Sequence, residues 1–139
     1  MSETLSGGCL CGAVRFGARL AKREMGVCHC GMCRRWSGGV FMAVEVEHLD
    51  IADETKLGVY RSSDYGERVF CVVCGSSLFW RMQDGSTTVV SYQAFDRTAD
   101  FSFETEIFID EKPAAYEFAN HTKKMTGAQF VAAITGGEV

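Results

Sequence analysis

An all-β fold follows from two features of the chain. Short stretches of apolar residues alternate with a period of two, and the connections between them are short. Fifteen glycines and a lone proline, Pro113, cut the sequence into short pieces. Brief turns between strands call for that pattern. At 139 residues the chain is long enough for one domain with a real core, so residues 1–139 are read as a single domain.

The strands are taken in order. Val14 and Phe16 alternate with Ala13 and Arg15. Val40, Met42, Val44 and Val46 alternate with Phe41, Ala43 and Glu45. Leu78, Trp80 and Met82 oppose Phe79 and Arg81, and the stretch from Thr87 to Tyr92 is β-branched and aromatic. In the longest strand, Phe101, Phe103, Thr105, Ile107 and Ile109 form one face, with Ser102, Glu104 and Glu106 on the other. One segment carries a helical signature. Thr126 and Gln129 are spaced as a capping box, Phe130, Val131 and Ile134 follow, and Gly136-Gly137 supplies a stop. A short C-terminal helix competes there with a loosely packed tail.

The cysteines are Cys9 and Cys11, then Cys28, Cys30 and Cys33, then Cys71 and Cys74. Seven isolated core thiols need not cluster at such spacings. A disulfide framework calls for an even count and a secretory context. A thioredoxin-like pair at Cys71 and Cys74 requires a helix opening there, and none is expected. Metal binding remains, with zinc the leading metal and Cu(I) or iron–sulfur clusters also suited to thiolates. The count allows one metal held by four thiolates and another held by three. A closed four-thiolate set is structural, whereas three protein ligands leave a position open to substrate. Spacing leaves open which cysteine pair joins which. A C-x-C pair on an extended strand would point both sulfurs to one face. Gly75 after Cys74 suits a tight C-x-x-C knuckle.

Apolar residues make up 47% and charged residues 23% of the chain, an ordinary soluble composition. The formal net charge is −4 and the pI about 5.3. Seven thiolates would add −7 and two Zn²⁺ +4, leaving about −7 when doubly loaded. That charge argues against nucleic acid as a partner. The first eight residues lack the basic start and apolar stretch of a signal peptide, and no apolar run reaches the ~20 residues of a membrane span. A cytoplasmic location, where thiols stay reduced, is expected.

Three stretches resemble the glutathione-dependent formaldehyde-activating enzyme family, also called the CENP-V/GFA domain. They are Gly8-Cys9-Leu10-Cys11-Gly12-Ala13-Val14-Arg15-Phe16, Cys28-His29-Cys30-Gly31-Met32-Cys33-Arg34-Arg35-Trp36-Ser37-Gly38, and the run from Phe70 through Cys71 and Cys74 to Trp80. The resemblance runs from about Gly7 to Phe118, and the segment 119–139 diverges, lacking a Leu-Pro-containing tail found in many members. It implies a fold of several coiled β-sheets built around two zinc ions. It assigns Cys9, Cys11, Cys71 and Cys74 to a structural zinc and Cys28, Cys30 and Cys33 to a catalytic one. The implied activity is a carbon–sulfur lyase, with glutathione the thiol partner and S-hydroxymethylglutathione formed reversibly from formaldehyde.

Three thiolates leave a Zn²⁺ site at −1 overall, which favours delivering a nucleophilic thiolate over activating a carbonyl. Arg34 and Arg35 could grip a substrate carboxylate or pair with acidic residues of the chain. Ser37-Gly38-Gly39 could line the mouth with backbone N–H groups or form a plain turn. His29, in an extended stretch, points away from the metal and is expected to support the site or lie exposed. His48 and His121 receive no role. Trp36, Phe79 and Trp80 are read as cover over the metal sites. Asp96-Arg97 and Asp110-Glu111-Lys112 are read as turns or solvated ends. The alternative function is a non-catalytic, zinc-stabilised β module that binds a partner. Oligomeric state is left open.

Overall fold

The computed structural model describes residues 3–134. In chain order the strands are β1 (Glu3–Gly8), β2 (Arg15–Leu20), β3 (Glu24–Cys28), β4 (Phe41–Val46), β5 (His48–Ile51), β6 (Leu57–Tyr60), β7 (Gly66–Cys71), β8 (Ser77–Met82), β9 (Thr88–Ser91), β10 (Ser102–Ile107) and β11 (Lys123–Met125). Two helices accompany them, α1 (Gly31–Ser37) and α2 (Gly127–Ile134), with three single 3₁₀ turns. The mainly β expectation holds. The chain divides into two compact units, one of residues 1–23 and 44–101 and the other of residues 24–43 and 102–139.

In the first unit β1, β2 and β5 form an antiparallel sheet in the order β1-β2-β5, and β6 to β9 form an antiparallel run in the order β9-β8-β7-β6. Alternation works well in β2. Phe16, Ala18 and Leu20 are buried, whereas Arg15 and Arg19 are exposed. The Phe16 ring meets Phe95 edge to face at 5.6 Å. Beyond it, Arg15 and Ser6 both hydrogen-bond Asp96. Asp96 therefore ties β1 and β2 to the turn after β9, rather than ending in solvent. In β8, Leu78 and Phe79 are both buried because the register with β7 shifts between Val69 and Phe70. Trp80 lies over Gly66, where a Cβ would come within 2.6 Å of the indole.

The second unit carries strands in the order β11-β10-β3-β4, with β10 parallel to both β3 and β11. Here strict alternation fails. Phe103 pairs with Met25 and Glu106 with Val27, but Glu104 falls in a register shift and has no partner on β3. Met25 and Val27 share one face of β3, so Phe103 and Glu106 share one face of β10. Glu106 is thereby turned inward and is 1% exposed. The strand also ends earlier than alternation suggests. Phe108 adopts a left-handed conformation, and Ile109–Glu111 form a 3₁₀ turn.

The expected C-terminal helix forms. Thr126 Oγ1 accepts from Gln129 N at 3.1 Å, and Gln129 Oε1 accepts from Thr126 N at 2.8 Å, the reciprocal capping box. Gly127 is required by packing, because a Cβ there would come within 2.4 Å of the Phe108 ring. Phe130 also faces Phe108, with ring centroids 6.1 Å apart. The expected stop at Gly136-Gly137 lies outside the described residues.

Candidate metal centres

Cys9 and Cys11 lie in a turn after β1 rather than on an extended strand, which corrects the face argument for the C-x-C pair. The turn is closed by Cys9 N donating to Val14 O and Gly12 N donating to Cys9 O. Cys71 ends β7, and a turn carries the chain to Cys74. Gly75 N donates to Cys71 O at 2.8 Å, and Gly75 sits at φ 80°, a left-handed position that glycine accepts without strain. The expected knuckle is therefore present.

The four sulfurs of Cys9, Cys11, Cys71 and Cys74 lie within 4.8 Å of one another. Cys9 and Cys11 Sγ are 3.6 Å apart, and Cys11 and Cys71 Sγ are 3.8 Å apart. A tetrahedron with zinc–sulfur bonds of about 2.3 Å has edges of about 3.8 Å, so this donor set fits zinc. Backbone N–H groups aim at the sulfurs: Val14 at Cys9, Ala13 at Cys11, and Val73 and Cys74 at Cys71. Such donors favour thiolates. The Ser76 hydroxyl and N–H bring Cys74 down to about 5. Against the Ala13 N–H, desolvation and the adjoining sulfurs push Cys11 up to about 11. Four thiols this close cannot all ionise unaided, and a cation removes the conflict.

The second group is compact in sequence. Cys28 ends β3, Cys30 caps α1 and Cys33 lies in its first turn. Cys30 Sγ accepts from Cys33 N at 3.3 Å, a thiolate in the place usually held by a capping oxygen. Helix α1 was not anticipated, and it carries the segment that follows. Its C-terminus is closed by Gly38, which donates to Arg34 O. Ser37 Oγ donates to Cys33 O, so the Ser37-Gly38-Gly39 stretch is the end of a helix. The three sulfurs lie within 4.8 Å of one another and are buried. Hydrogen bonds from Cys28 and Cys33 bring Cys30 down to about 2, while the same contacts push Cys28 far above the usual thiol range. This set too is suited to a soft cation, and among the described residues no fourth His, Cys, Asp or Glu ligand atom joins it.

His29 is fully buried, and its Nε2 meets Glu106 Oε1 at 2.9 Å. It is turned away from the sulfur ligand set, as expected, and it is not exposed. Glu106 Oε2 accepts from Thr122 Oγ1 at 2.6 Å and lies 3.6 Å from Lys124 Nζ. Although burial opposes its charge, Thr122, His29 and Lys124 hold the Glu106 carboxyl below the usual carboxylate range. Arg34 is half-buried and its Nε donates to His29 O at 3.0 Å, whereas Arg35 is exposed. Glu111 Oε1 accepts from Gly31 N, and Asp110 Oδ1 accepts from Gly127 N. The acidic pair read as a solvated end therefore holds the starts of both helices. Trp36 packs against Phe41 at 5.2 Å. His48 pairs with Asp50 at the surface, and His121 is exposed.

Sequence reasoning missed Glu106, Glu111 and Thr122. Glu111 and Thr122 carried no signal at all. For Glu106 a signal existed in Glu104-Thr105-Glu106, where an extra residue would exchange the two faces, but alternation alone gives no reason to insert one. No helix of the described residues is long and apolar enough to cross a membrane.

The family model described as glutathione-dependent formaldehyde-activating enzyme matches residues 4–111. That span contains all seven cysteines, His29 and Glu106, and stops short of Thr122. A protein of Schizosaccharomyces pombe named as an uncharacterized lyase is 32% identical over 122 residues, covering 86% of this chain and 89% of the yeast protein. A crystal structure of a Rhodobacter sphaeroides protein has a similar fold, with a TM-score of 0.58 at 21% identity, over 66% of this chain and 88% of that one.

Proposed function

Because the chain belongs to the glutathione-dependent formaldehyde-activating enzyme family, we propose that it is a zinc-dependent carbon–sulfur lyase of thiol–aldehyde adducts. Glutathione and formaldehyde are the default pair, and S-hydroxymethylglutathione is the adduct. Cys28, Cys30 and Cys33 hold the reacting zinc, whereas Cys9, Cys11, Cys71 and Cys74 hold a structural one. The observation that carries this reading is the three-sulfur group with no fourth protein ligand atom among the described residues.

A zinc ion on these three thiolates would supply positive charge that keeps a substrate thiol ionised near neutral pH. The remaining work falls to the protein. The Cys33 N–H and the helical turn hold Cys30 in place, and Glu106 holds the buried His29 ring between Cys28 and Cys30 in sequence. The exposure of Arg35 on α1 supports its reading as the cation that meets a glutathione carboxylate. Arg34 is already committed through Nε to the His29 carbonyl and contributes charge from its remaining nitrogens. In the synthetic direction the thiol loses its proton, an S–C bond forms to the aldehyde carbon, and the aldehyde oxygen gains a proton. Cleavage reverses each step. Seven cysteines with no disulfide among them suit a reducing cytoplasm, and the acidic chain suits a small-molecule partner over a nucleic acid.

The test is calorimetry of glutathione binding to the zinc-loaded protein in two buffers of different ionisation enthalpy, followed by NMR of ¹³C-formaldehyde exchange with glutathione. Binding through sulfur should release a proton, S-methylglutathione should bind far more weakly, and exchange should accelerate. Absence of thiol binding at a loaded three-cysteine site would favour the non-catalytic module.

A further inference from the structure

Residue 29 is the link between two of the three sulfur ligands, and it is held from four directions. Its N–H donates to Ile107 O at 3.1 Å, and its carbonyl accepts from Arg34 Nε. Its ring lies 6.1 Å from both Tyr116 and Phe118, and Nε2 meets Glu106. Nδ1 is buried without a hydrogen-bond partner, so Glu106 is the polar anchor of this ring. Glu106 in turn uses its other oxygen on Thr122, which lies in the segment leading into β11.

That arrangement connects two parts of the sequence with no obvious relation. The segment after residue 118 departs from the family resemblance, and the matched family span ends at residue 111. Nevertheless Thr122 reaches the ligand hairpin through only two side chains, both almost completely buried. A buried carboxylate with the His29 ring on one oxygen and the Thr122 hydroxyl and Lys124 ammonium on the other is sharply oriented, because each contact fixes the others. Loss of His29 leaves Oε1 without this partner, and loss of the Thr122 hydroxyl leaves Oε2 to Lys124 alone, 3.6 Å away, so either change favours movement of the carboxylate.

We infer that Thr122 and Glu106 are positioning residues for the three-cysteine metal centre, acting through His29 to hold the Cys28 and Cys30 sulfurs at ligand spacing. Through Thr122, the divergent segment after residue 118 thus acts on the proposed site. Groups that orient ligands in this way typically change metal affinity 10–100-fold when removed. The inference rests on the reading of this trio as a metal centre.

The test uses the full chain loaded with zinc and titrated with a chromophoric chelator, which reads the affinity of each site. Cys30→Ser identifies which class of zinc belongs to the trio. Glu106→Ala should weaken that zinc 10–100-fold. Glu106→Gln, which keeps an acceptor for His29, should recover part of the loss. Thr122→Val, a near-isosteric change at a half-buried position, should weaken it several-fold and keeps the test alive if Glu106→Ala fails to fold. The four-cysteine site should be unchanged in every variant, and the cobalt-substituted trio should show a shifted thiolate charge-transfer spectrum in Thr122→Val. Trio affinity within twofold of the parent in folded Glu106→Gln and Thr122→Val, or equal weakening at both sites, overturns the inference. A parent protein with only one class of zinc overturns the metal-centre reading and the inference with it. Two classes insensitive to Glu106 and Thr122 sink the inference alone.

Discussion

The two cysteine groups use one residue type but differ in sequence span, in burial and in the side chains behind them. The four-cysteine group joins turns sixty residues apart in sequence, at the protein surface, with Cys11 exposed and Leu10, Val72 and Val73 uncovered beside it. Its sulfurs are oriented by the backbone N–H groups of their own turns. The three-cysteine group spans six residues and is buried; Cys30 Sγ accepts from the Cys33 N–H, and the His29 between Cys28 and Cys30 is tied to Glu106 and, through it, to Thr122. A metal in the first group closes a long loop and removes much conformational freedom from the unfolded chain. A metal in the second closes almost none. A metal in the first group would therefore add more to stability than one in the second, the contrast on which the proposed division into a structural and a reacting site rests.

The largest expected effect tests the first half of that contrast. Structural zinc contributes on the order of 10 kcal/mol of apparent binding free energy in small domains. Cys9→Ser or Cys74→Ser should yield insoluble or largely unfolded protein, read by circular dichroism and zinc content. A folded, zinc-free Cys74→Ser variant would remove the structural assignment. The companion variant, Cys30→Ser, should stay folded, keep one tightly held zinc and lose thiol binding. Equal destabilisation by Cys30→Ser and Cys71→Ser would erase the distinction between the groups.

Proton release on metal loading sharpens the comparison. A thiol already ionised at pH 7 gives up no proton when a metal arrives, whereas one with a raised pKa gives up a whole one. Cys74, near 5, and Cys30, near 2, fall in the first class, while Cys11, near 11, and Cys28, pushed higher still, fall in the second. Zinc loading at pH 7 should therefore release fewer than four protons at the first group and fewer than three at the second. Affinity should fall as pH drops, because loading must drive protons off Cys11 and Cys28 against a rising proton concentration. Calorimetry in two buffers, with Cys30→Ser isolating the first group, reads both counts. Release of all four or all three protons would contradict the ionisation that the Ser76 and Cys28 contacts impose.

The same contrast governs what could be read from sequence. The cysteine groups, the knuckle at Gly75 and the capping box from Thr126 to Gln129 were legible because each is built from neighbours in sequence. Only the start of β2 was read, at Arg15 and Phe16, although its period of two runs on unbroken to Leu20. The burial of Glu106 was not, because the unpaired Glu104 exchanges the faces of β10 and only its pairing with β3 reveals that. Helix α1 was hidden by its length and by Gly31 at its start, although Gly38 and two basic residues near its end were the usual stop signals. Contacts such as Thr122 to Glu106 depend on where β11 settles, which no local pattern encodes.

The smallest expected effect separates two neighbours on that short helix. Arg34 and Arg35 carry the same charge one residue apart, but Arg34 Nε holds the His29 carbonyl and Arg35 stands exposed. Charges at the rim of a site contribute about 0.2–1 kcal/mol each, screened by salt. Arg35→Gln should thus weaken glutathione a few-fold, leave 2-mercaptoethanol unchanged because it has no carboxylate, and lose its effect in high salt. Arg34→Gln should weaken both thiols, since releasing the His29 carbonyl loosens the link between Cys28 and Cys30. Titrating each variant with both thiols at low and high ionic strength distinguishes the roles. If Arg35→Gln weakens the two thiols equally, the exposed arginine is not reading a carboxylate, and glutathione loses its main electrostatic argument as the partner.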